Sequence, residues 1–453
     1  MVNRANGEPA ALVIGAGIAG MQAALDIGDA GFQVCLVERE PSIGGRMSQL
    51  DKTFPTLDCS SCILTPKMVD VSRHPNIELM TYSEVEAVAG EAGAFCARVR
   101  QKARYVDFDT CTGCGVCQQK CPKRVPSEFD MGVGPRKAIY TPFPQAVPNV
   151  PVIDRENCIW FQRGKCRVCE KFCPTGAVNY DQEDEFVNVE AGAIVVATGF
   201  DQFDATRKPE LGWGQYPNVL SGLEFERLVS ASGPTAGKVE IEGVGDIKDV
   251  VFIKCVGSRD RSIGNPWCSS VCCMYTAKQA HLLHDRLPDA NVTVFYMDVR
   301  AFGKGYEGFY DRVREEGIVY RRGSVSEIYK RKGRLVVRAE DTLSGQPVAV
   351  EADLVVLATG LTPRADAAQV AEMLGLRQSP SGFFAEAHAK LRPNDSGVAG
   401  IYLAGAAQGP KDIPDTVSHA KAAAASAIVL LSRMKRSQAR QTEPAQAEAV
   451  VAV

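Results

Sequence analysis

The run Ala10-Ala-Leu-Val-Ile14 followed at once by Gly15-Ala-Gly17-Ile-Ala-Gly20 constrains this 453-residue chain more than any other feature. The short apolar run reads as a buried parallel strand. A helix is expected over Met21–Ala30, a second strand over Phe32–Val37, and Glu38 closes that strand. Alone, the glycine spacing is weak evidence. Strand, glycines, helix, strand and terminal acid together specify a dinucleotide-binding βαβ unit. Gly15 permits the tight turn, Gly17 lets a pyrophosphate approach, and Gly20 lets helix and strand pack closely. The helix start offers free N–H groups and partial positive charge to phosphate. Glu38, with Arg39 beside it, is placed to meet the adenosine ribose. Gly44-Gly45-Arg46 follows, so that Gly45 gives a second backbone approach. Arg46 belongs either on the pyrophosphate or on the solvated surface.

Sixteen cysteines in a chain of net charge −3 need a different explanation. The first residues carry no secretory pattern, and no apolar run approaches the roughly 20 residues of a membrane span. Such a composition predicts metal binding in a reducing, cytoplasmic compartment rather than a disulfide framework. The charge argues against nucleic acid as a partner.

The cysteines fall into groups. Alternating runs at Glu78–Tyr82 and Phe95–Arg100 read as short antiparallel strands. The pattern stops near Arg104 and resumes at Glu185–Glu190, which predicts an inserted domain over 104–182. Inside it, Cys111-x2-Cys114-x2-Cys117-x3-Cys121-Pro122 has the ferredoxin spacing, and Cys158-x7-Cys166-x2-Cys169-x3-Cys173-Pro174 is a stretched second copy. In two-cluster ferredoxins the fourth cysteine of each run serves the other cluster. Cys111, Cys114, Cys117 and Cys173 are therefore assigned to one [4Fe–4S] cluster, and Cys158, Cys166, Cys169 and Cys121 to a second. Zinc is the rival, and eight thiolates in this pattern speak against it. The Pro-rich stretch Thr141–Pro151 reads as a semi-rigid connector.

A third group follows the apolar run Asp249–Lys254: Cys255, Cys268, Cys272 and Cys273, with Lys278 five residues on. Soft thiolates match iron, so an unusual cluster site is expected, against the alternative of buried structural thiols. Lys278 is expected on a helix opening at Cys272, either beside a flavin or on the helix surface. Cys59-Ser-Ser-Cys62 is a separate pair with three readings: half a metal site completed by another chain, a redox pair, or packing.

Ala-Thr-Gly occurs twice, at 197–199 and 358–360, and marks the ends of two similar domains. Thr198 and Gly199 are candidate cofactor contacts. The first domain is expected to be discontinuous, over 8–103, 183–235 and 362–434. The second Rossmann-like domain spans 236–361. Near the end, Gly405-Ala406 forms a turn, and a helix is expected from about Pro414 to Met434, capped by Asp412 or Ile413. Its free N–H groups suit the electron-rich edge of a reduced flavin. Residues 435–453 read as a disordered tail.

This order of elements resembles the two-dinucleotide-domain flavoproteins of the thioredoxin reductase type. Within them it is similar to the A-subunit family of heterodisulfide reductase, on Leu57–Met68, the Cys255 group, the insert, and Gln408-Gly-Pro-Lys-Asp-Ile-Pro-Asp415. The resemblance implies an α/β fold of two Rossmann-like domains with a ferredoxin insert, one FAD and three [4Fe–4S] clusters. It implies that the Cys255 group holds a cluster near the flavin and that Lys278 lies by the flavin ring. Implied partners are B- and C-like iron–sulfur subunits, input subunits of hydrogenase, formate dehydrogenase or NADH dehydrogenase type, ferredoxin, and a second copy of the chain. Archaeal relatives carry a further C-terminal ferredoxin domain that is not seen here, and Ala406 replaces the family's usual aspartate.

In the second domain, Cys255 stands where a reductase of this fold has its phosphate-binding glycines. The expected function is an FAD-containing hub subunit that relays electrons and splits or merges electron pairs. The alternatives are a non-bifurcating electron-transfer scaffold and an NAD(P)H-dependent flavoprotein like the glutamate synthase small subunit.

Overall fold

Leu12, Val13, Ile194, Val195 and Val196 are fully buried, because each lies on a central strand covered on both faces. The computed structural model describes residues 10–442. Its first sheet has seven strands. From one edge they run Glu386–His388, Arg392–Ser396, Ile401–Leu403, Ala193–Val196, Ala10–Ile14, Gln33–Glu38 and Ile77–Thr81. The inner pairings are parallel. Ile77–Thr81 joins this sheet parallel to Gln33–Glu38, so its expected antiparallel partnering is wrong. Val34, Leu36 and their neighbours draw it in through a buried parallel register. Phe95–Gln101 is antiparallel to Ser83–Ala89 and to Glu185–Ala191.

The first helix starts at Ile18, directly after Gly17, rather than at Met21. A Cβ on Gly20 would lie 1.8 Å from the Gly15 carbonyl oxygen, so that glycine lets the first helical turn sit on the glycine loop itself.

A second sheet orders Val219–Ser221, Leu354–Thr359, Asp249–Val256, Asn291–Tyr296 and Val319–Arg322, all parallel. The expected boundary at 236 is therefore too late. Val219–Ser221 already pairs with Leu354–Thr359, and the helix Gly222–Val229 packs beside it. That helix opens with a full capping box between Ser221 and Glu224. Asp201–Gln202 and Leu361–Thr362 form a small antiparallel link where the chain passes between the two units.

The segment between Gln101 and Glu185 leaves and re-enters the same strand pair, since those two residues are themselves partners. It has its own core, including Tyr105, Ile139, Ile153, Val178 and Tyr180. Arg104 anchors it: one guanidinium nitrogen donates to the Val150 carbonyl at 2.9 Å, and another to Pro41 and Thr81 of the first unit.

The last helix runs from Ile413 to Thr442, past the expected end at Met434. Residues 435–442 are strong or neutral helix formers with no breaker, so the helix continues where a disordered tail is expected. The rest of that expected tail, 443–453, lies outside the described residues. No described helix is long and apolar enough to cross a membrane.

Candidate functional site

A cavity of about 880 Å³ runs from the first glycine loop across to the second sheet. Its walls include Gly15, Gly17, Glu38, Arg39, Gly45, Arg46, Thr198, Gly199, Ala406, Asp412, Ile413 and Lys278. The size and the few convergent polar groups suit a dinucleotide. Gly15 holds φ +98°, and a Cβ there would meet the Ala197 carbonyl oxygen at 2.5 Å. Gly17 and Gly45 face one another: a Cβ on Gly45 would sit 2.9 Å from the Gly17 Cα. This cradle admits a phosphate backbone only because both lack side chains. Gly20 and Gly405 do not line the cavity. Gly20 packs against the loop, and Gly405, at φ +66°, donates its N–H to His419 Nδ1 at 3.0 Å.

Glu38 is buried and already occupied. Its carboxylate accepts from the Ala16 N–H at 2.6 Å and the Glu40 N–H at 2.9 Å. Burial raises its pKa in spite of those two donors. Arg39 pairs with Asp366, and Arg46 with Asp201 at 3.3 Å, so both arginines are fixed at the cavity wall by carboxylates. Asp412 caps the last helix by accepting the Asp415 N–H at 2.8 Å, and it also accepts the Tyr306 hydroxyl of the second unit. Lys411 reaches the same wall, where burial lowers its pKa to about 8.

Lys278 sits on the helix Cys272–Arg286, which opens at the expected residue. It is 1 % exposed. Its ammonium lies 2.5 Å from Glu226 Oε1 and donates to the Lys52 carbonyl at 2.9 Å. Gln279 donates to the same Glu226 oxygen at 2.8 Å, and the Asp51 N–H reaches the other at 3.1 Å. Glu226 and Gln279 line the cavity too. Glu226 escapes sequence reasoning. The only signal is an acid inside the amphipathic run Leu223–Val229, which reads as a solvated residue until Lys278 is placed against it. Next to it, Arg227 turns the other way to Asp130 of the insert at 3.0 Å.

The Cys255 group occupies the end of the second sheet's central strand. Register between Asp249–Val256 and Leu354–Thr359 slips between Ile253 and Val256, and Cys255 takes φ +61°. Arg259 and Ser270 are also left-handed, so the loop carries three strained non-glycine residues, a pattern typical of functional sites. The loop bonds to itself. Ser258 Oγ accepts the Ser269 N–H at 3.0 Å, Asn265 holds the Gly257 carbonyl, and Arg259 N–H meets the Trp267 carbonyl at 2.7 Å. The Phe203 ring fills the space over Gly257, 1.9 Å from where a Cβ would be. The N–H groups of Ser258, Arg259, Asp260 and Ser269 are all used within the loop.

Burial, then the neighbouring Cys273, pushes Cys255 up to about 11, with Lys254 and Arg259 opposing. Cys272 is raised by burial and then by Cys255, Cys273 and Cys268, so the four thiols share one neighbourhood. Thiols this protonated become ligands only when a metal's charge displaces the proton. Tyr275 joins this group to the cavity. It lines the cavity, donates to the Thr359 carbonyl at 2.8 Å, and its hydroxyl contacts the Cys272 thiol.

In the insert, one small cavity is lined by Cys111, Cys114, Cys117 and Cys173, and a second by Cys121, Cys158, Cys166 and Cys169. Each set takes three cysteines from one run and the last from the other. Burial raises Cys117 to about 12 against the Gln118 N–H, and Cys111, Cys169 and Cys173 push the same way as burial. Among the described residues, no three Cys, His, Asp or Glu side chains converge at the spacing that one metal ion needs.

Comparison with known proteins follows the same lines. Residues 9–424 match the family described as pyridine nucleotide-disulphide oxidoreductase. The chain is 53 % identical over 422 residues to the A-subunit of the H(2):CoB-CoM heterodisulfide,ferredoxin reductase of Methanothermobacter thermautotrophicus, covering 92 % of this chain and 63 % of that one. It is 55 % identical over 426 residues to the second iron-sulfur A-subunit of the CoB–CoM heterodisulfide reductase of Methanopyrus kandleri, covering 93 % and 64 %. This chain thus spans a little under two thirds of the length of these relatives. Among solved structures, the thioredoxin reductase of Lactococcus lactis aligns at TM-score 0.52 and 12 % identity over 94 % of this chain and all of that one. The thioredoxin reductase of T. acidophilum aligns at 0.51 and 13 %, over 96 % of this chain and all of that one, and both show the fold alone. With its two-unit fold, its likeness to heterodisulfide reductase A-subunits and a family match across nearly the whole described chain, the protein belongs to the pyridine nucleotide-disulphide oxidoreductases.

Proposed function

We propose that this chain is the flavin- and iron–sulfur-containing hub of a multi-subunit oxidoreductase, relaying electrons between FAD and three [4Fe–4S] clusters and dividing electron pairs between two paths. One observation carries the reading: Cys272, Cys273, Tyr275 and Lys278 share a single helix whose cysteine end enters the thiol group and whose next turns line the large cavity. FAD in that cavity would supply the exchange between two-electron and one-electron chemistry, which clusters alone lack.

The residues have separate tasks. Gly15, Gly17 and Gly45 would leave room for the pyrophosphate of the cofactor, with Arg46 on the same cavity wall. Lys278 sits at the cavity wall paired with Glu226. Tyr275 joins the cavity wall to Cys272 through its hydroxyl. The self-bonded Cys255 loop blocks the turn in which a nicotinamide nucleotide would need free N–H groups, which disfavours direct hydride transfer from NAD(P)H.

The eight insert thiols support clusters rather than zinc: each set of four rings a small cavity, and a cubane takes one thiolate per corner. Insert residues 104–182 would thus be a two-cluster ferredoxin unit. Relatives named for H2, formate, ferredoxin and F420H2 make external subunits carrying those inputs the expected partners.

Metal and flavin analysis of the purified chain tests this. About twelve irons and one FAD are expected per chain, falling by about four irons in Cys255→Ser. Rapid stoichiometric bleaching of the flavin by NADH alone would overturn the blocked-nucleotide reading. Flavin redox steps in normal rather than crossed order would reduce the role to a simple relay.

A further inference from the structure

The two thiol sets of the insert differ at the protein surface. Each has one exposed member, Cys114 in the first and Cys166 in the second. Around Cys114 the cavity wall carries no charged residue, and the loop leading into it brings Asp107 and Asp109, both exposed. Around Cys166 the surface is basic. Lys165 and Arg167 flank it in sequence, Arg163 lies three residues before it, and Lys123 lines the same small cavity. Arg167 pairs with Glu170 at 2.5 Å, whereas Lys123, Arg163 and Lys165 have no carboxylate partner among the described residues.

The basic rim belongs to the stretched spacing, seven residues between Cys158 and Cys166 where the ferredoxin run has two. That stretch forms the short helix Ile159–Arg163, ended by Gly164 at φ +65°. Residues 162–166 are all exposed. Cys166 and Arg167 take φ +108° and +65°, so the loop holds Cys166 outward against backbone strain. The Arg167 guanidinium lies 4.9 Å from the Trp160 ring centroid and 5.2 Å from that of Tyr180, which fixes one edge of the rim. Charge compensation for a bound cluster does not account for these cations. Both sets would carry the same negative charge, yet Lys and Arg gather only around the second. The insert as a whole leans the same way: residues 104–182 hold eleven Lys and Arg against eight Asp and Glu, in a chain of net charge −3.

We propose that this rim, Lys123, Arg163, Lys165 and Arg167 around Cys166, is the docking surface for a small acidic one-electron carrier protein. The proposal rests on the cluster reading of the insert given above. One electron passes per encounter: the reduced carrier becomes oxidised as the centre held by Cys121, Cys158, Cys166 and Cys169 is reduced, or the reverse. No bond forms or breaks, and no proton moves. The position suits onward exchange with the flavin cavity. Ile139 lines the small cavity of this set, and the next residue, Tyr140, lines the large one. Complementary charge steers such encounters and loses its pull as salt rises. Nucleic acid and anionic membranes also attract cations, but neither has an electron to exchange at a rim centred on a ligand thiol.

The test uses the full chain with its cofactors, kept anaerobic, and a small acidic two-cluster ferredoxin as the probe. Calorimetry should show binding at low salt that weakens about tenfold or more at about 0.3 M salt. Carbodiimide coupling, which joins carboxylates to amines, should link the probe to Lys123 and Lys165. Arg163→Glu/Lys165→Glu should weaken low-salt binding by about tenfold or more, with iron and flavin contents unchanged. Lys332→Glu/Lys390→Glu makes the same charge change at exposed sites outside the insert and should leave binding as it was. Equal weakening by the two double variants overturns the proposal, as do cross-links confined to other lysines. Binding of duplex DNA or phosphatidylserine vesicles at this rim, without binding of the ferredoxin, overturns it too. Unchanged ferredoxin binding by a chain that lacks about eight of the expected irons sinks the cluster reading alone and leaves the docking surface standing.

Discussion

At the scale of single residues, the ion pair between Lys278 and Glu226 is buried on both sides. Both side chains are 2 % exposed, so neither charge has water to fall back on. A buried pair contributes little net stability, but removing one partner leaves the other charge uncompensated. Glu226→Gln should therefore destabilise the fold by about 3–5 kcal/mol, measured as a lowered denaturant midpoint, and Glu226→Leu with Lys278→Met should recover most of the loss. A loss in the double variant equal to the sum of the two single losses would show that the two side chains act independently. Lys411 behaves in the opposite way. Burial holds its folded pKa at about 8, below the ordinary 10.5, so the folded state disfavours the charged form. The unfolded chain keeps its proton to higher pH. Below pH 8 the penalty is fully present, and it fades as pH climbs from 8 towards 10.5. Lys411→Met should then stabilise the cofactor-free chain by about 1–2 kcal/mol below pH 8, after discounting for residual exposure. Its advantage should shrink at higher pH. Paired melts of the two chains at pH 7 and 9.5 measure both values.

At the scale of elements, what sequence reveals depends on how local the cause is. The glycine loop and the opening of the Cys272 helix are set by residues within one turn or one strand, and each is legible as a spacing. Strand Ile77–Thr81 misleads because its alternation suits either sheet geometry; only the neighbouring Gln33–Glu38 decides that it runs parallel. Val219–Ser221 is three residues long, too short for any periodicity, so its place in the second sheet comes wholly from pairing with Leu354–Thr359. Glu226, Tyr275 and Gln279 are ordinary helical residues until two helices bring them to one wall. Cys255 shows the intermediate case. Its chemistry is legible, but its left-handed backbone arises from a register slip that no local rule encodes.

At the scale of the whole molecule, the insert is joined to the flavin unit in two unequal ways. Covalently, it is a loop between paired residues: Gln101 and Glu185 face each other across an antiparallel ladder, so a two-residue turn can replace everything between them without moving either strand. Non-covalently, it is tied in by buried cations. Arg227 is 1 % exposed and depends on Asp130, with its guanidinium 4.8 Å from the Phe129 ring centroid and a further bond to the Gln49 carbonyl at 3.1 Å. Gln49 in turn donates to the Phe129 carbonyl at 2.8 Å. Because Arg227 follows Glu226 on one short helix, this contact runs beside the cavity's own ion pair. Excising 102–184 and closing the gap with Asn-Gly should therefore give a chain that still folds and still binds FAD. It should lose about eight irons, and its melting temperature should fall, because Arg227 loses its carboxylate and its ring. Arg227→Leu in the excised chain should restore part of that loss, since an apolar side chain needs no partner there, whereas in the intact chain the same substitution should destabilise by leaving Asp130 unpaired. An excised chain that binds no flavin would mean that the insert is part of the cavity's fold and not a unit docked upon it; Glu128, Phe129 and Met131, which reach the cavity wall, are the residues through which that dependence would act.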